Sequence, residues 1–251
     1  MFEQLLNAKT LADRLRSAFL VEDRWKMYFS GLGNTLLISA MAVTIGVVLG
    51  FLMAMVVYTH KNTGKLKILN AVFKVYITVI RGTPVVLQLF IMYFIVLVTV
   101  KSGVIVGAIT FGLNSAAYVA ETARAGLESI DPGQMEAGQS LGLSYRKTMI
   151  KIILPQAFRN IVPALFNEFI ALVKETSVAG YVGILDLGKV PGLIQSRTFD
   201  YLFPLLIASV MYLVVVYGLT LVQRLIERAL SKSDRDRGYK KIVGGRKKKN
   251  A

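Results

Sequence analysis

Residues 136–155 read EAGQSLGLSYRKTMIKIILP, a polar and basic island set between long apolar segments. A connection that only reverses a membrane chain needs to be short and polar, whereas this one has an internal plan. Asp131-Pro132-Gly133 just ahead of it is a turn or helix start. Residues 134–141 have the composition of a short helix, and Gly142 stands where a glycine after the last helical turn belongs. Glu136 falls in the first turn, where its charge suits the helix dipole. Ala137 and Gly138 keep the helix surface small, so that a partner can approach closely. Lys147 and Lys151 follow with Met149, Ile150, Ile152 and Ile153 between them, until Pro155 begins the next apolar segment. The spacing predicts a short helix that docks on something at the membrane surface.

Working outward, a spanning helix needs roughly 20 apolar residues to cross ~30 Å of hydrocarbon. Residues 35–58 run uncharged, and residues 201–223 form another clear span. Residues 82–120 carry one charge, Lys101, inside Lys101-Ser102-Gly103, which reads as two spans joined by a tight turn. Residues 161–180 contain Glu168, Lys174 and Glu175, yet Pro155, Pro163 and the apolar face of Ile161, Leu165, Phe169 and Leu172 favour a helix packed inside a bundle. The expectation is an all-α integral membrane protein, a bundle of five transmembrane helices at about 33–58, 82–100, 103–124, 156–180 and 201–224. These lie within a transmembrane domain 30–228 whose polar loop covers 125–155, preceded by an amphipathic segment 1–29 and followed by a basic tail 229–251.

Composition agrees. Of 251 residues 54% are hydrophobic, with a mean hydropathy of +0.55, too apolar for an ordinary soluble domain. The absence of cysteine excludes disulfides, thiolate metal sites and cysteine nucleophiles. The single histidine, His60, sits in the basic stretch THKNTGKLK and reads as a solvated loop residue rather than a metal ligand. A net charge of +15 on a soluble protein would suggest nucleic acid. Here the basic residues cluster beside apolar spans, which favours the anionic headgroups of a lipid bilayer and no nucleic acid.

Leu5, Ala8, Leu11, Leu15, Ala18 and Phe19 recur at helical spacing among charged residues, so the N-terminal segment is expected to lie on the membrane, with Trp25 and Tyr28 as interfacial anchors. It does not have the pattern of a cleavable signal. An odd number of spans puts the termini on opposite sides. The tail after Gln223 holds eleven Lys and Arg, the stretch 59–81 holds five, and the island adds Arg146, Lys147 and Lys151, all on one side. The other side carries only Lys101, Lys189 and Arg197 in its connections, so the positive-inside rule places the C-terminus in the cytoplasm and the N-terminus outside. The lysine-rich tail is expected to anchor on anionic lipid. Gly46 and Gly50, like Gly103 and Gly107, are spaced for close helix packing.

Gly183 to Val190, GILDLGKV, nearly spells a phosphate-binding loop, but the hydroxyl that would hold Mg²⁺ is replaced by Val190 and no buried strand precedes it. No nucleophile, base and acid can be assembled either. The chain is therefore expected not to be an enzyme, with any ATP chemistry on another polypeptide.

The island resembles the signature loop of the membrane subunits of ATP-binding-cassette importers: E-A-A, three residues, G, nine residues, I-x-L-P. Glu136, Ala137, Gly138, Gly142, Ile152, Leu154 and Pro155 stand at those positions, with Gly138 in place of the second alanine. Further segments resemble the polar-amino-acid permeases (histidine, glutamine and arginine type) within that group. They are YITVIRGTP ending at Pro84 with Gln88 following, AYVAE ending at Glu121 with Arg124, Asp131-Pro132-Gly133-Gln134, and Leu172-Val173-Lys174-Glu175-Thr176-Ser177. The likeness covers about residues 31–222. It implies the type I importer permease fold in a bacterial plasma membrane and a core of two permeases, identical or homologous. It also implies a dimer of ATPase subunits carrying ATP and Mg²⁺, and an external or periplasmic solute-binding protein. No cofactor is expected in this chain. On this resemblance Glu136, Ala137, Gly138, Gly142, Leu154 and Pro155 couple the permease to the ATPase, the short helix lying in a groove of that partner.

Charged groups inside a bundle cost from about 2.5 kcal/mol upward at mid-membrane, so each is a candidate for the solute path. Arg81, Gln88, Glu121, Glu168, Lys174, Glu175 and Ser177 are those candidates. A zwitterionic amino acid needs an acceptor for its ammonium and a donor for its carboxylate, which Lys174-Glu175-Thr176-Ser177 supplies with both charge signs and hydroxyls. Structurally, Glu121 and Arg124 are one turn apart and also read as a mutual ion pair. Two other readings remain at this point: the same architecture carrying an opine or small organic solute, or a stand-alone channel or carrier whose basic loops bind lipid.

Overall fold

The computed structural model describes residues 10–249, and side chains as far as residue 230. Leu5 and Ala8 of the expected amphipathic stripe, and the basic side chains of the tail beyond residue 230, lie outside the described residues. No strand occurs among the described residues.

Helix α1 (Leu11–Phe19) starts at Thr10, whose hydroxyl accepts from the Asp13 N–H while the Asp13 carboxylate accepts from the Thr10 N–H. A 3-10 turn, Val21–Asp23, swings the chain into α2 (Arg24–Thr63), with Glu22 and Asp23 both left-handed at φ 54° and 55°. Helix α3 (Lys67–Gly82) is followed by α4 (Val85–Ile91), which runs into a π-helical turn, Met92–Val96. Helix α5 (Gly103–Glu128) is capped by the Ser102 hydroxyl, which accepts from the Ile105 N–H. Two short helices come next, α6 (Gly133–Ser140) and α7 (Tyr145–Thr148). A second π-helical turn, Met149–Ile153, joins α7 to α8 (Leu154–Glu175). A 3-10 segment, Thr176–Val182, leads through a buried loop to α9 (Val190–Thr198) and α10 (Leu202–Lys249).

Among the described residues, four helical runs are long and apolar enough to cross a bilayer: Val21–Thr63, Gly103–Glu128, Tyr145–Val182 and Leu202–Leu230. A fifth is completed if α3 and the α4 segment count as one span bent by 108°. The expected second span, 82–100, thus differs from what is seen: α3 already begins at Lys67 within the stretch read as a basic loop. The reason is physical. Asn70, Lys74 and Arg81 form a polar stripe along α3 that interrupts the hydropathy, while Ile68, Val72, Val75 and Val79 form an exposed apolar stripe on its other side. Gly82-Thr83-Pro84 then breaks the helix, because the residue before a proline is driven to extended backbone, here Thr83 at φ −122°, ψ 144°.

The glycine pairs pack within the chain. A Cβ at Gly50 would stand 2.7 Å from the Ala116 carbonyl oxygen, and one at Gly46 would stand 2.6 Å from Ser115 Oγ, so α2 and α5 meet backbone to backbone. Gly103 and Gly107 face Ile184 in the loop after α8. At the other end of α2, Tyr28 is fully buried with Leu187, Val190 and Ile194, and its hydroxyl donates to the Pro204 carbonyl. The expected interfacial anchor at Tyr28 is therefore a core residue, whereas Trp25 is exposed. Helix α1 docks against the start of α10 through a two-pronged Arg14–Asp200 pair at 2.8 and 2.9 Å, which holds the Asp200 carboxyl below its usual range.

Candidate coupling helix and polar seam

Helix α6 is held by its ends. The Asp131 carboxylate accepts from the Gly133 N–H at 2.8 Å, turning the chain into the helix behind Pro132. At the far end Gly142 is left-handed, φ +78°, and two reverse hydrogen bonds close the last turn: Gly142 N–H to the Gln139 carbonyl and Leu143 N–H to the Gly138 carbonyl. That is the Schellman arrangement, which a glycine permits at least cost.

One face of α6 is rooted in the protein. Gly138 is buried, and Thr148 Cγ2 sits 2.5 Å from where its Cβ would be. Met135 packs on a buried cluster that joins Ala54 and Tyr58 of α2, Ala123 and Leu127 of α5, Met149 and Ile153 of the second π-helical turn, and Ala157 and Ile161 of α8. The other face is open: Glu136 and Ala137 are exposed, and Leu141 is 81% exposed. Of the remaining signature positions, Ile152 and Leu154 are half-buried, while Pro155 is exposed in the first turn of α8, where its missing N–H costs nothing.

A lattice of ion pairs runs beside this platform. Arg124 bonds Glu121 and Glu128 at 2.8 Å each, Lys61 bonds Glu128 at 2.9 Å, and Arg81 lies 3.6 Å from Glu121 with its guanidinium over the Tyr118 ring. Arg81 and Glu121, both candidates for the solute path, are thus brought together and already engaged.

Gln88 has a different role from the one its polarity suggests. Its amide donates to the Ile80 and Thr83 carbonyls and the Thr83 hydroxyl, capping the broken end of α3, while Asn114 Nδ2 donates to its Oε1 at 2.9 Å. It staples the bend. Asn114, buried on α5, was not singled out by the sequence; a lone asparagine within an otherwise small and apolar helix was the signal.

Glu168 is the charged group set deepest along α8, and its Oε1 accepts from Ser115 Oγ at 3.0 Å. Gly46 makes that bond feasible by leaving Ser115 room against α2. Glu175 lies seven residues on, on the same face of the helix, with Lys174 and Ser177 exposed beside it. Glu168 and Glu175 therefore share one face of α8 as a polar seam, separate from the Arg81–Glu121 lattice by side-chain bonding, with Lys174 adjacent in sequence and Ser177 in the 3-10 segment beyond the helix.

The loop that mimicked a phosphate site is a structural plug. Asp186 is fully buried and accepts from the Gly188 and Lys189 N–H groups at 2.8 and 3.1 Å. The Leu187 N–H donates to Thr35 Oγ1, and Asn34 donates to the Leu185 carbonyl. Burial pushes the Asp186 carboxyl up to about 6 despite those donors. No group of three or more His, Cys, Asp or Glu side chains able to hold a metal occurs among the described residues.

A bundle of apolar helices long enough to span a bilayer, with a short, end-locked helix between two of them, defines the class as a multi-span membrane protein. The chain belongs to the family described as the binding-protein-dependent transport system inner membrane component, which it matches over residues 27–232. It is 39% identical over 199 residues to a putative glutamine transport system permease protein of Rickettsia bellii, covering 78% of this chain and 89% of that one. It is 39% identical over 207 residues to the arginine transport system permease protein of Bacillus subtilis, covering 81% and 92%. The L-cystine transport system permease protein of Bacillus subtilis matches at 34% over 239 residues, 92% and 98% of the two chains. Among solved structures, an amino acid ABC transporter crystallised with histidines superposes with a TM-score of 0.75 at 37% identity, covering 81% of this chain and 94% of that one. An inward-facing methionine ABC transporter has the same TM-score at 21% identity and shares the fold. This is an ABC importer permease and a bacterial inner-membrane protein.

Proposed function

We propose that this chain forms the path by which a polar amino acid enters the cell, moved by ATP hydrolysis on separate subunits that clasp helix α6. The observation that carries the reading is the construction of that helix. It is locked at both ends and rooted through Gly138 and Met135 in the cluster where α2, α5 and α8 converge, while Glu136, Ala137 and Leu141 are left uncovered. A partner that moves α6 therefore moves the roots of three long helices together, which is what a two-state coupling element requires. On this reading α6 faces the cytoplasm, as do the basic stretches around it, and the N-terminus is outside. A dimer of ATPase subunits holds ATP and Mg²⁺, a second permease completes the core, and a solute-binding protein delivers from outside. The chain itself has no ATPase site.

A polar amino acid is the solute class that the groups at the end of α8 and in the 3-10 segment after it would suit. Carboxylates at Glu168 and Glu175 offer acceptors for an ammonium, and Lys174 with Ser177 offers donors for a carboxylate. The named relatives, assigned to glutamine, arginine and cystine, agree with a zwitterionic solute. The test is uptake of radiolabelled amino acids into vesicles holding the reconstituted complex. Glu136→Lys should abolish ATP-driven uptake while the protein still inserts and assembles. Normal uptake by that variant would overturn the coupling role of α6.

A further inference from the structure

On the same side of the bundle as α6, a cleft of about 440 Å³ opens between the end of α2, the polar stripe of α3 and the end of α5. Its walls include His60, Lys61, Asn70, Lys74, Glu121, Arg124 and Glu128. The two acids are spoken for: Glu121 by Arg124 and Arg81, and Glu128 by Arg124 and Lys61. The Lys74 ammonium has no partner among the described residues, while His60 donates its Nδ1–H to the Lys65 carbonyl. Beside them Asn70 is only 7% exposed, and its side-chain oxygen has no hydrogen-bond partner. A buried amide oxygen without a donor is unfavourable, so the position favours a ligand that brings a hydroxyl or amine.

We propose that this cleft binds the headgroup of an anionic glycerophospholipid. The phosphodiester oxygens accept from the Lys74 and Lys61 ammonium groups, and a glycerol hydroxyl, as in phosphatidylglycerol, donates to Asn70 Oδ1. Three observations carry it: the Lys74 ammonium left uncommitted once the internal pairs are counted, the orphaned acceptor behind it, and the place of the cleft beside a membrane helix. Helix α3 forms one wall, and its opposite stripe of Ile68, Val72, Val75 and Val79 is exposed and apolar, so a single helix separates the cleft from an apolar outer face. Basic pockets between membrane helices suit lipid headgroups for this reason. Lys61 and Glu128 also line the adjoining cleft that reaches Glu136 and Gln139 of α6, so an occupying headgroup would brace the ion-pair lattice next to the coupling helix.

The experiment is native mass spectrometry of the intact, delipidated transporter in detergent, titrated with phosphatidylglycerol, with phosphatidylcholine, and with phosphatidylglycerol in the presence of millimolar inorganic phosphate. The expected result is one tightly held phosphatidylglycerol per copy of this chain, with phosphatidylcholine at least ~10-fold weaker. Lys74→Glu, a change at an exposed position that leaves the fold intact, should weaken retention by about 10-fold, and Asn70→Leu should weaken it less. Equal binding of the two lipids, or unchanged retention in Lys74→Glu, would overturn the site. Displacement by inorganic phosphate would overturn the lipid assignment in favour of a soluble phosphate. Because the readout is lipid retention, its outcome is independent of the solute carried and of the role of α6.

Discussion

Thr148 occupies the space that a side chain at Gly138 would need, with Cγ2 at 2.5 Å and Oγ1 at 2.8 Å from the position of the missing Cβ. The pair explains the one departure of this chain from the E-A-A pattern. A glycine in the middle of a short helix loosens it by roughly 1 kcal/mol relative to alanine. Here that cost is offset by letting α6 lie against α7 and the π-helical turn that leads into α8. Gly138→Ala should therefore be damaging rather than stabilising, by about 1–3 kcal/mol of overpacking. Thr148→Ala, which removes both offending atoms, should restore the double variant. Thermal unfolding of the four proteins in a mutant cycle measures the coupling, and additive effects would contradict the packing argument.

Gly142 offers an independent handle on the same helix, through its backbone and not its packing. Nothing stands near its missing Cβ, so only φ +78° argues for glycine. Gly142→Ala should cost about 1 kcal/mol and fray the last turn of α6, while Gly142→Asn, better tolerated in left-handed backbone, should cost less. Proteolysis within residues 139–146, scored against ATP-driven uptake, should rank wild type, Asn and Ala in that order.

The short helix was legible because its signals are local: a turn before it, a closing glycine after it, small residues within it. The long spans were legible from hydropathy wherever one face did not have to be polar. Helix α3 escaped because Asn70, Lys74 and Arg81 recur along it and mimic a basic loop, although the stripe of Ile68, Val72, Val75 and Val79 carried the helical period. Tyr28 was misplaced because an amphipathic residue near a membrane boundary reads alike whether it faces headgroups or a neighbouring helix. Its burial depends on the plug loop some 160 residues away, which no local pattern reports. The engagement of Gln88 with the broken end of α3 was hidden for a related reason: the break itself had not been recognised.

Asp186 predicts how stability responds to pH. Its folded pKa, about 6, lies above the usual value of 3.8, so between those limits the folded state holds a proton that the unfolded chain has released. Stability contributed by this group should thus be greatest at low pH and fall as pH rises from about 4 to about 6, then stay level. The change is at most on the order of 3 kcal/mol, by the standard conversion of about 1.4 kcal/mol per unit. Asp186→Asn cannot titrate and should lose that segment of the profile. Thermal midpoints at pH 4.5, 5.5 and 7, compared between the two proteins with Asp200 intact in both, provide the measurement; parallel profiles would remove Asp186 as the source.

Glu168 and Glu175 separate charge from hydrogen bonding in the proposed solute seam. Glu168→Gln keeps an oxygen to accept from Ser115 Oγ, so the contact between α8 and α5 survives and only the negative charge is lost. If that charge meets the α-ammonium, which arginine and glutamine both carry, the variant should raise the KM for the two solutes alike, by roughly 10-fold where a charge-assisted bond is lost. Glu168→Ala removes the acceptor as well and should lower the thermal midpoint in addition. Glu175→Gln, at an exposed position with no hydrogen bond or ion pair among the described residues, should alter uptake without altering stability. Concentration-dependent uptake of arginine and glutamine by each variant decides the matter: unchanged KM values for both solutes in Glu168→Gln and Glu175→Gln would take the α8 seam out of the solute path.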